Sequence, residues 1–227
     1  MQHQPQCQYM DKNNSLAPAS SAVNAIKKIV PVFDPRPVPV VQVDTGLPAV
    51  APASLSAANL RHAFSRHPTD WEPELRNERP WTSKPPAKAA VLVALVQRQE
   101  LNVLLTVRSA QLSNHSGQIA FPGGRQDPED HDARDTALRE AWEEVGLERS
   151  RVEVIGSLPE YATGSGFEIT PVIGLVTPPF AIAPNPAEVA DVFEVPLSFL
   201  MNPAHHHWQQ LESPELTRRW LSMPYDD

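Results

Sequence analysis

The sequence predicts a mixed α/β or α+β sandwich, and three observations point to that fold class. Short segments rich in β-branched and aliphatic residues are interspersed with helical patterns, without a regular βαβ alternation. Proline accounts for 25 of the 227 residues, which argues against a helical bundle or coiled coil because proline interrupts helix interiors. Eight of the nine glycines lie between positions 117 and 174, so close backbone contacts are expected in that part of the chain.

The chain divides into three predicted regions. Residues 1–58 are expected to form a disordered tail rich in proline, alanine and glutamine, because their apolar residues follow no sustained period. Residues 59–88 are predicted to be a short helix and linker, with the helical pattern spanning Ser56–Arg66. Residues 89–227 are predicted to be the main domain.

Within the main domain, alternating and aliphatic segments predict seven strands, at Ala89–Val96, Asn102–Val107, Gln118–Phe121, Val152–Leu158, Ile169–Val176, Val192–Glu194 and near Arg219–Ser222. A turn at Pro122-Gly123-Gly124 is expected to stop the third strand. Residues 132–146 are predicted to form a helix that ends at Gly146. Its buried stripe is expected to contain Leu138, Ala141, Trp142 and Val145. A second, short helix is predicted at Leu197–Met201.

Composition and charge exclude several classes of function. The formal net charge is −8, which disfavours nonspecific nucleic-acid binding because that requires a basic face. The single cysteine, Cys7, forbids an internal disulfide and a thiolate-built zinc site. No run of 18 apolar residues occurs and the first 30 residues do not resemble a secretory signal, so we expect no membrane partner and a cytoplasmic location. Three adjacent histidines, His205 to His207, are predicted to lie in an exposed loop rather than to bind a metal.

The segment most indicative of chemistry lies on the predicted helix over residues 132–146. Glu140, Glu143 and Glu144 are spaced so that all three carboxylates share one helix face. A hard divalent cation would relieve their mutual repulsion, since Mg²⁺ prefers oxygen ligands and substrate phosphates. Arg139 lies one turn before Glu143 and could hold that carboxylate in place. The pattern indicates metal-assisted attack of water on a phosphoanhydride, although an acidic surface helix with one salt bridge is an open alternative.

With the flanking glycines, this segment resembles the signature of the Nudix hydrolases. The second half of that signature, Arg-Glu-apolar-x-Glu-Glu-x-Gly-apolar, is matched in full from Arg139 to Leu147. The first half departs from the general pattern, because fourteen residues separate Gly124 from Arg139 where the signature has thirteen, and His131 stands at the first glutamate position. The resemblance implies a Nudix α/β/α sandwich with a mixed sheet.

The longer spacing and an upstream motif are similar to the coenzyme A diphosphatase subgroup of that family. The subgroup's Asp-x-x-Asp pattern matches Asp127–Asp130. Its upstream signature matches from Leu104 through Arg108 and Gly117 to the Phe-Pro-Gly-Gly at 121–124. Ser113 stands where the subgroup usually has arginine, so the comparison implies a difference in the strength of binding or in the choice among CoA derivatives.

The resemblance implies a role for each matched residue of the helix. Glu140 and Glu144 would be the principal Mg²⁺ or Mn²⁺ ligands, and Glu143 would bind a further ion or help to position water. The carbonyl group of Gly124 would add a ligand, and Arg139 would orient the glutamates. Residues Arg139, Glu140, Glu143 and Glu144 are therefore the expected catalytic set.

The expected substrate-binding residues are Arg108, Gly117, Phe121 and Gly123. Arg108 could meet a substrate phosphate through charge-assisted hydrogen bonds; a strand-end arginine in solvent is the alternative. Glu188 is a candidate general base, and a polar loop residue is its alternative.

The implied activity is metal-dependent hydrolysis of the pyrophosphate bond of coenzyme A or an acyl-CoA, giving 3′,5′-ADP and a 4′-phosphopantetheine species. Two alternatives stay open: a Nudix hydrolase for another nucleoside diphosphate derivative such as ADP-ribose or a dinucleotide, and a catalytically inactive Nudix-like binding module. Subgroup members usually continue past the segment Met223–Tyr225 with a strand and a closing helix. The early end therefore predicts either a truncated product or a domain without that element, with apolar sheet surface exposed.

Overall fold

The computed structural model of the protein describes residues 37–66, 85–112, 115–212 and 217–225. The predictions for residues 1–36, for most of the linker, for Cys7 and for Ser113 therefore lie outside the described residues. No helix in the described part of the chain is both long enough and apolar enough to span a membrane.

Eleven strands and three α-helices are formed by these residues. The strands are β1 (Val40–Val43), β2 (Ala87–Gln97), β3 (Leu101–Arg108), β4 (Ile119–Ala120), β5 (Gly123–Arg125), β6 (Val152–Ser157), β7 (Tyr161–Ala162), β8 (Phe167–Val176), β9 (Val189–Pro196), β10 (His207–Glu212) and β11 (Thr217–Ser222). The α-helices are α1 (Ala57–Ser65), α2 (Ala133–Val145) and α3 (Leu197–Leu200). All the strands and helices predicted from residue 56 onward are present, with their ends shifted by a few residues.

The main sheet has eight strands and is mixed, as predicted. Strand β2 is at its centre because its residues are almost entirely apolar and nearly all are shielded from solvent. It pairs in parallel with β8 from Ala87 opposite Phe167 to Val96 opposite Val176. Its other edge pairs antiparallel with β3 near the Gln97 end and with β5 near the Ala89 end. The division of that edge between two partners places β5 beside the start of β2.

Helices cover both faces of the main sheet, which confirms the predicted sandwich. Helix α2 packs on one face, where its apolar side chains join a buried cluster that includes Leu92, Val96 and Leu104. Helices α1 and α3 pack on the other face against a cluster of Leu95, Leu101, Val103, Ile173 and Leu175. Alternate residues of β2 therefore serve two separate cores, as the period of a strand requires.

A second sheet corrects two predictions. Strand β1 pairs with β10, which pairs with β11, so residues 37–58 are not entirely a disordered tail. The histidine segment is not an exposed loop either, because all three histidines are partly buried. His205 stacks on Phe199 with ring centroids 3.9 Å apart, and His207 begins β10. The first correction, and the pairing of His207 in β10, depend on contacts between segments more than 150 residues apart, which local sequence patterns do not report. The burial of His205 comes instead from Phe199, six residues before it.

Helix α2 is fixed at both ends by its own sequence. Asp132 is the N-cap, and its side chain accepts a hydrogen bond of 2.9 Å from the backbone N–H of Asp135. Gly146 ends the helix in the left-handed conformation at φ 71°, which glycine adopts without steric cost. The predicted buried stripe is correct at Leu138, Ala141 and Val145 but wrong at Trp142, which is 54% exposed.

Candidate active site

Two adjacent glycines bring the main sheet close to helix α2. Gly123 and Gly124 were expected in a turn, but they form strand β5 and lie opposite Val91 and Ala90 of β2. A Cβ atom on Gly123 would lie 2.5 Å from the carbonyl oxygen of Ala90, and one on Gly124 would lie 2.5 Å from a carboxylate oxygen of Glu140. This packing therefore requires both glycines. Gly123 allows the close approach of β2, and Gly124 allows the close approach of the Glu140 side chain from α2.

Glu144 is the most buried carboxylate of the predicted set, at 4% exposure. Its Oε2 accepts a hydrogen bond of 3.1 Å from the backbone N–H of Gly123. Its Oε1 lies 3.6 Å from a guanidinium nitrogen of Arg108. Burial raises the pKa of Glu144 to about 7, because desolvation of the carboxylate outweighs both of these favourable contacts. The negative charges of Glu140 and Glu188 act in the same direction.

Glu140 lies one helical turn before Glu144 and is partly buried. Burial raises the pKa of Glu140, although the guanidinium of Arg139 opposes the shift. Nη1 of Arg139 donates hydrogen bonds of 2.9 Å to both Glu140 and Glu143. Glu143 is the exposed member of the set. The three carboxylates therefore occupy one side of the helix at graded depth, and Arg139 joins two of them.

Arg139 is itself held by Asp130. Nε and Nη2 of Arg139 donate to the two carboxylate oxygens of Asp130 at 3.0 and 2.9 Å, and Nη2 also donates to the carbonyl oxygen of Arg125. This guanidinium holds the pKa of Asp130 well below its usual range. The sequence analysis identified Asp130 only as part of the Asp-x-x-Asp pattern. Asp130 lies nine residues before Arg139 in the sequence, and the loop before α2 brings the two side chains together. No local periodicity specifies the path of that loop.

Glu188 lies at the end of a loop that packs on the last turn of α2. The backbone N–H of Asn185 donates to the carbonyl oxygen of Glu144 at 2.9 Å, and the N–H of Ser109 donates to the carbonyl oxygen of Glu188 at 2.7 Å. The loop is therefore fixed between α2 and the end of β3. From this position the negative charge of Glu188 contributes to the raised pKa of both Glu140 and Glu144.

Arg108 ends strand β3 and points toward Glu144 rather than into open solvent. Its side chain is 28% exposed. Its Nε atom is buried and has no hydrogen-bond partner among the described residues. Arg108 thus has a loose ion pair and an unused donor, whereas every nitrogen of Arg139 donates to an oxygen atom.

The other two expected substrate-binding residues lie in the segment between β3 and β5. Gly117 has φ 70° and donates its N–H to the carbonyl oxygen of Arg108 at 3.0 Å, which closes the loop after β3. Phe121 is 36% exposed, and the neighbouring Ile119 is 62% exposed. The structure therefore places an apolar edge immediately before the two glycines. Sequence reasoning did not single out Ile119.

A hard divalent cation fits the donor set of this site. Within the described residues, no three acidic, histidine or cysteine side chains are arranged as a ready-made metal cage. Such a cage is not required for Mg²⁺, which usually binds through one or two carboxylates together with substrate phosphates. Glu140 and Glu144 supply those carboxylates, and buried Glu144 has one loose cationic partner, Arg108 at 3.6 Å. The residues present thus fit Mg²⁺ or Mn²⁺ held mainly by the substrate and these two side chains.

Gly124→Ala is expected to reduce turnover with little loss of stability. The new methyl group would displace the end of a flexible side chain, the Glu140 carboxylate, by an ångström or more. Such a misplacement costs about a hundredfold in rate. The measurements are the turnover rate, for activity, and Tm, for stability, of the variant and the wild type. Gly46→Ala is the matched control because nothing lies within 4 Å of its Cβ position. Full activity of Gly124→Ala would show that the position of Glu140 is unimportant.

Comparison with known proteins gives a family for this arrangement. The family model described as NUDIX domain matches residues 86–223, more than half of the chain. The chain is 45% identical over 120 residues to the "Uncharacterized Nudix hydrolase NudL" of Photorhabdus laumondii, covering 53% of this chain and 64% of that protein. It is 46% identical over 136 residues to the protein of the same name in Citrobacter koseri, covering 60% and 71%. The match thus spans about two thirds of the relatives' own length.

Solved structures also resemble the chain. The crystal structure of the Nudix hydrolase RenU from M. smegmatis has a TM-score of 0.43 and 28% identity, covering 50% of this chain and 72% of that one. The NUDIX domain of Shewanella oneidensis NrtR, solved with ADP-ribose, has a TM-score of 0.39 and 19% identity, covering 60% and 84%.

Proposed function

Because the chain belongs to the NUDIX domain family, whose curated relatives are named Nudix hydrolases, we propose that it hydrolyses the pyrophosphate bond of coenzyme A or an acyl-CoA. The observation that carries the hydrolase part is the buried carboxylate of Glu144, placed beside Glu140 and directly under the backbone of Gly123. The products would be 3′,5′-ADP and 4′-phosphopantetheine or its acyl derivative. The proposal includes a cytoplasmic location.

Glu140 and Glu144 would hold the divalent cation, with Glu143 and the carbonyl group of Gly124 as further ligands. When bound, Mg²⁺ or Mn²⁺ neutralises charge on the phosphates and lowers the pKa of a bound water. Arg139 keeps Glu140 and Glu143 in place through its two hydrogen bonds of 2.9 Å. Asp130 in turn fixes Arg139, so the geometry of the site is set before a substrate arrives.

The remaining residues act on water and on the substrate. A carboxylate oxygen of Glu188 would accept the proton of the attacking water, whose oxygen forms the new bond to phosphorus while the bridging P–O bond breaks. The bridging oxygen leaves on one of the two phosphate monoesters. Arg108 would donate hydrogen bonds to a phosphate, since its Nε is unused and buried.

Coenzyme A is favoured as substrate by the sequence upstream of α2. The resemblance to the coenzyme A diphosphatase subgroup runs from Leu104 to Gly124. In that stretch the N–H of Gly117 donates to the carbonyl oxygen of Arg108, and Phe121 is exposed shortly before Gly123. These four residues are the proposed substrate-binding set. The exposed apolar edge at Phe121 suits a ligand with an apolar part.

The test is a panel of substrates with identification of the products by mass spectrometry. The protein is incubated with CoA, an acyl-CoA, ADP-ribose, a dinucleotide and deoxynucleoside triphosphates, each with Mg²⁺ or Mn²⁺. We expect 3′,5′-ADP and a phosphopantetheine species from the CoA substrates, and no product when the metal is chelated. Preferential cleavage of ADP-ribose or a dinucleotide would overturn the CoA assignment. Inactivity on the whole panel, with metal binding intact, would identify a binding module rather than an enzyme.

A further inference from the structure

The buried end of the site holds more acidic side chains than basic ones. The negative charge of Glu188 acts on both Glu140 and Glu144, and the charge of Glu140 acts on Glu144 as well. Arg139 compensates Glu140 through a hydrogen bond of 2.9 Å. Arg108 is the one cationic group in the described part of the chain that pairs with Glu144. The compensation of Glu144 in the absence of a metal therefore depends on Arg108.

The pairing of Arg108 with Glu144 is loose by comparison with the pairing of Arg98 and Glu194. Its nitrogen–oxygen distance is 3.6 Å and no hydrogen bond joins the two side chains, whereas Arg98 forms two hydrogen bonds to Glu194 at 2.7 and 3.1 Å. The buried Nε of Arg108 has no partner in the described residues. A buried donor without a partner is costly, so this guanidinium is suited to a ligand that supplies further oxygens.

From these observations we infer that Arg108 is an exchangeable counter-ion: it compensates Glu144 in the metal-free protein and transfers to a substrate phosphate when a divalent cation takes its place. This inference rests on the proposed function and deepens it. Arg108 and the cation compete for the same carboxylate, and the phosphate relieves that competition by binding both. Binding of cation and binding of substrate are consequently coupled through one side chain.

The first test is titration with Mn²⁺ alone, without substrate. Arg108→Gln is expected to bind Mn²⁺ about tenfold more tightly than the wild type, because it removes the positive charge that lies 3.6 Å from the Glu144 carboxylate. Arg108→Lys keeps the charge and is expected to stay within about twofold of the wild type. Equal or weaker Mn²⁺ binding by folded Arg108→Gln would overturn the inference, and so would a wild type that binds no Mn²⁺.

Arg98→Gln is the matched control. Arg98 also pairs with a glutamate, but it follows the far end of β2. It lies seven residues beyond Val91, or about 23 Å along the strand. We expect its Mn²⁺ affinity to equal that of the wild type. Tighter binding by Arg98→Gln as well would show a general effect of net charge and would overturn the specific role of Arg108.

A measurement on the wild type covers the case in which Arg108→Gln does not fold. The Nε–Hε signal of Arg108 in the nitrogen-15 spectrum is assigned by its loss in Arg108→Lys. Saturation with Mg²⁺ is expected to shift this signal, while the signal of Arg98 stays in place. An unchanged Arg108 signal in Mg²⁺-saturated protein would overturn the inference.

Steady-state kinetics separate this inference from the proposed function. With CoA, Arg108→Gln is expected to raise KM by about tenfold or more, because charge-assisted hydrogen bonds to phosphate are lost. An unchanged KM would contradict the transfer to phosphate. If Arg108→Gln tightens Mn²⁺ binding but the wild type does not cleave CoA, the counter-ion role at Glu144 stands and the choice of substrate is wrong.

Discussion

Glu144→Gln is expected to lower kcat by about a thousandfold, the effect of removing one main charge-stabilising group from an active site, and at the same time to stabilise the metal-free protein at neutral pH. The loss of rate follows from the position of Glu144 as the buried cation ligand. Glutamine keeps the size of the side chain, and its carbonyl oxygen can still accept the hydrogen bond from Gly123. Turnover of CoA and thermal unfolding without metal are the two measurements.

The gain in stability follows from proton linkage. The pKa of Glu144 is raised from 4.5 to about 7 in the folded protein, so the folded state binds the proton more strongly than the unfolded state. The contribution of this group to stability is therefore fully present below pH 4.5 and is lost as the pH rises through 7. We expect Glu144→Gln to be more stable than the wild type by about 1–3 kcal/mol above pH 7, with the difference shrinking at lower pH.

Glu148→Gln serves as the control for stability, because that carboxylate is exposed just after α2. Glu148→Gln is expected to leave thermal unfolding unchanged. A Glu144→Gln protein that cleaves CoA at the wild-type rate would exclude Glu144 as a metal ligand. A variant less stable than the wild type at pH 8 would show that the ionised carboxylate is favourably placed in the metal-free protein.

Arg139→Met is expected to cost about 3 kcal/mol in free energy of unfolding, the usual result of removing one partner of a buried ion pair. The side chain of Asp130 is only 5% exposed, and in this variant it would lose the guanidinium that pairs with both of its oxygens. Its remaining hydrogen bonds come from Thr136 and the backbone of Asp127. Activity is expected to fall as well, because Glu140 and Glu143 lose their common donor.

The dependence on pH identifies the cause of that loss. The pKa of Asp130 lies well below its usual range in the wild type, so the pair stabilises the protein above about pH 4 and its contribution is lost as the pH falls toward the folded pKa. The difference between the wild type and Arg139→Met should therefore shrink in acid. Arg149→Met removes the partner of Asp135, a more exposed pair, and should cost clearly less. Equal losses in the two variants would contradict the special role of Asp130.

Local pattern predicted the parts of the fold that depend on local physics. The helix at Ala133–Val145 has an Asp132 cap, a buried apolar stripe and a Gly146 stop, all of which are visible within fifteen residues of sequence. Spacing predicts burial of Trp142 because it lies one turn after Leu138. In the structure the buried arc also includes Ala137 and Glu144, so it is centred on Ala141 and Trp142 lies at its exposed edge.

Strand pairing between distant segments could not be predicted from local sequence patterns. Strands β1 and β10 are about 165 residues apart in sequence, and β1 is followed by a proline- and alanine-rich segment that resembles a tail. The two glycines at 123 and 124 predict a turn, because glycine most often marks one. In the structure they form a strand that allows β2 and Glu140 to approach closely. A pattern of two glycines does not distinguish these uses until the partner of the strand is known.

The candidate site likewise has some features that the sequence predicted and others that it did not. The spacing of Glu140, Glu143 and Glu144 predicted their common helix face, and the upstream motif identified Arg108. The sequence did not indicate that Glu144 is deeply buried, that Arg108 pairs with it, or that Asp130 anchors Arg139. These features arise where α2, β3, β5 and the loop before α2 meet, so they depend on tertiary packing.

The most direct test of the account is titration of the wild type and Glu144→Gln with Mn²⁺ at pH 7, by calorimetry in two buffers with different ionisation enthalpies. Because the pKa of Glu144 is about 7 in the metal-free protein, Mn²⁺ binding to the wild type should release about half a proton. Glu144→Gln should bind Mn²⁺ at least about tenfold more weakly and release no proton from this position. Equal affinity and equal proton release in the two proteins would contradict the assignment of Glu144 as the buried metal ligand.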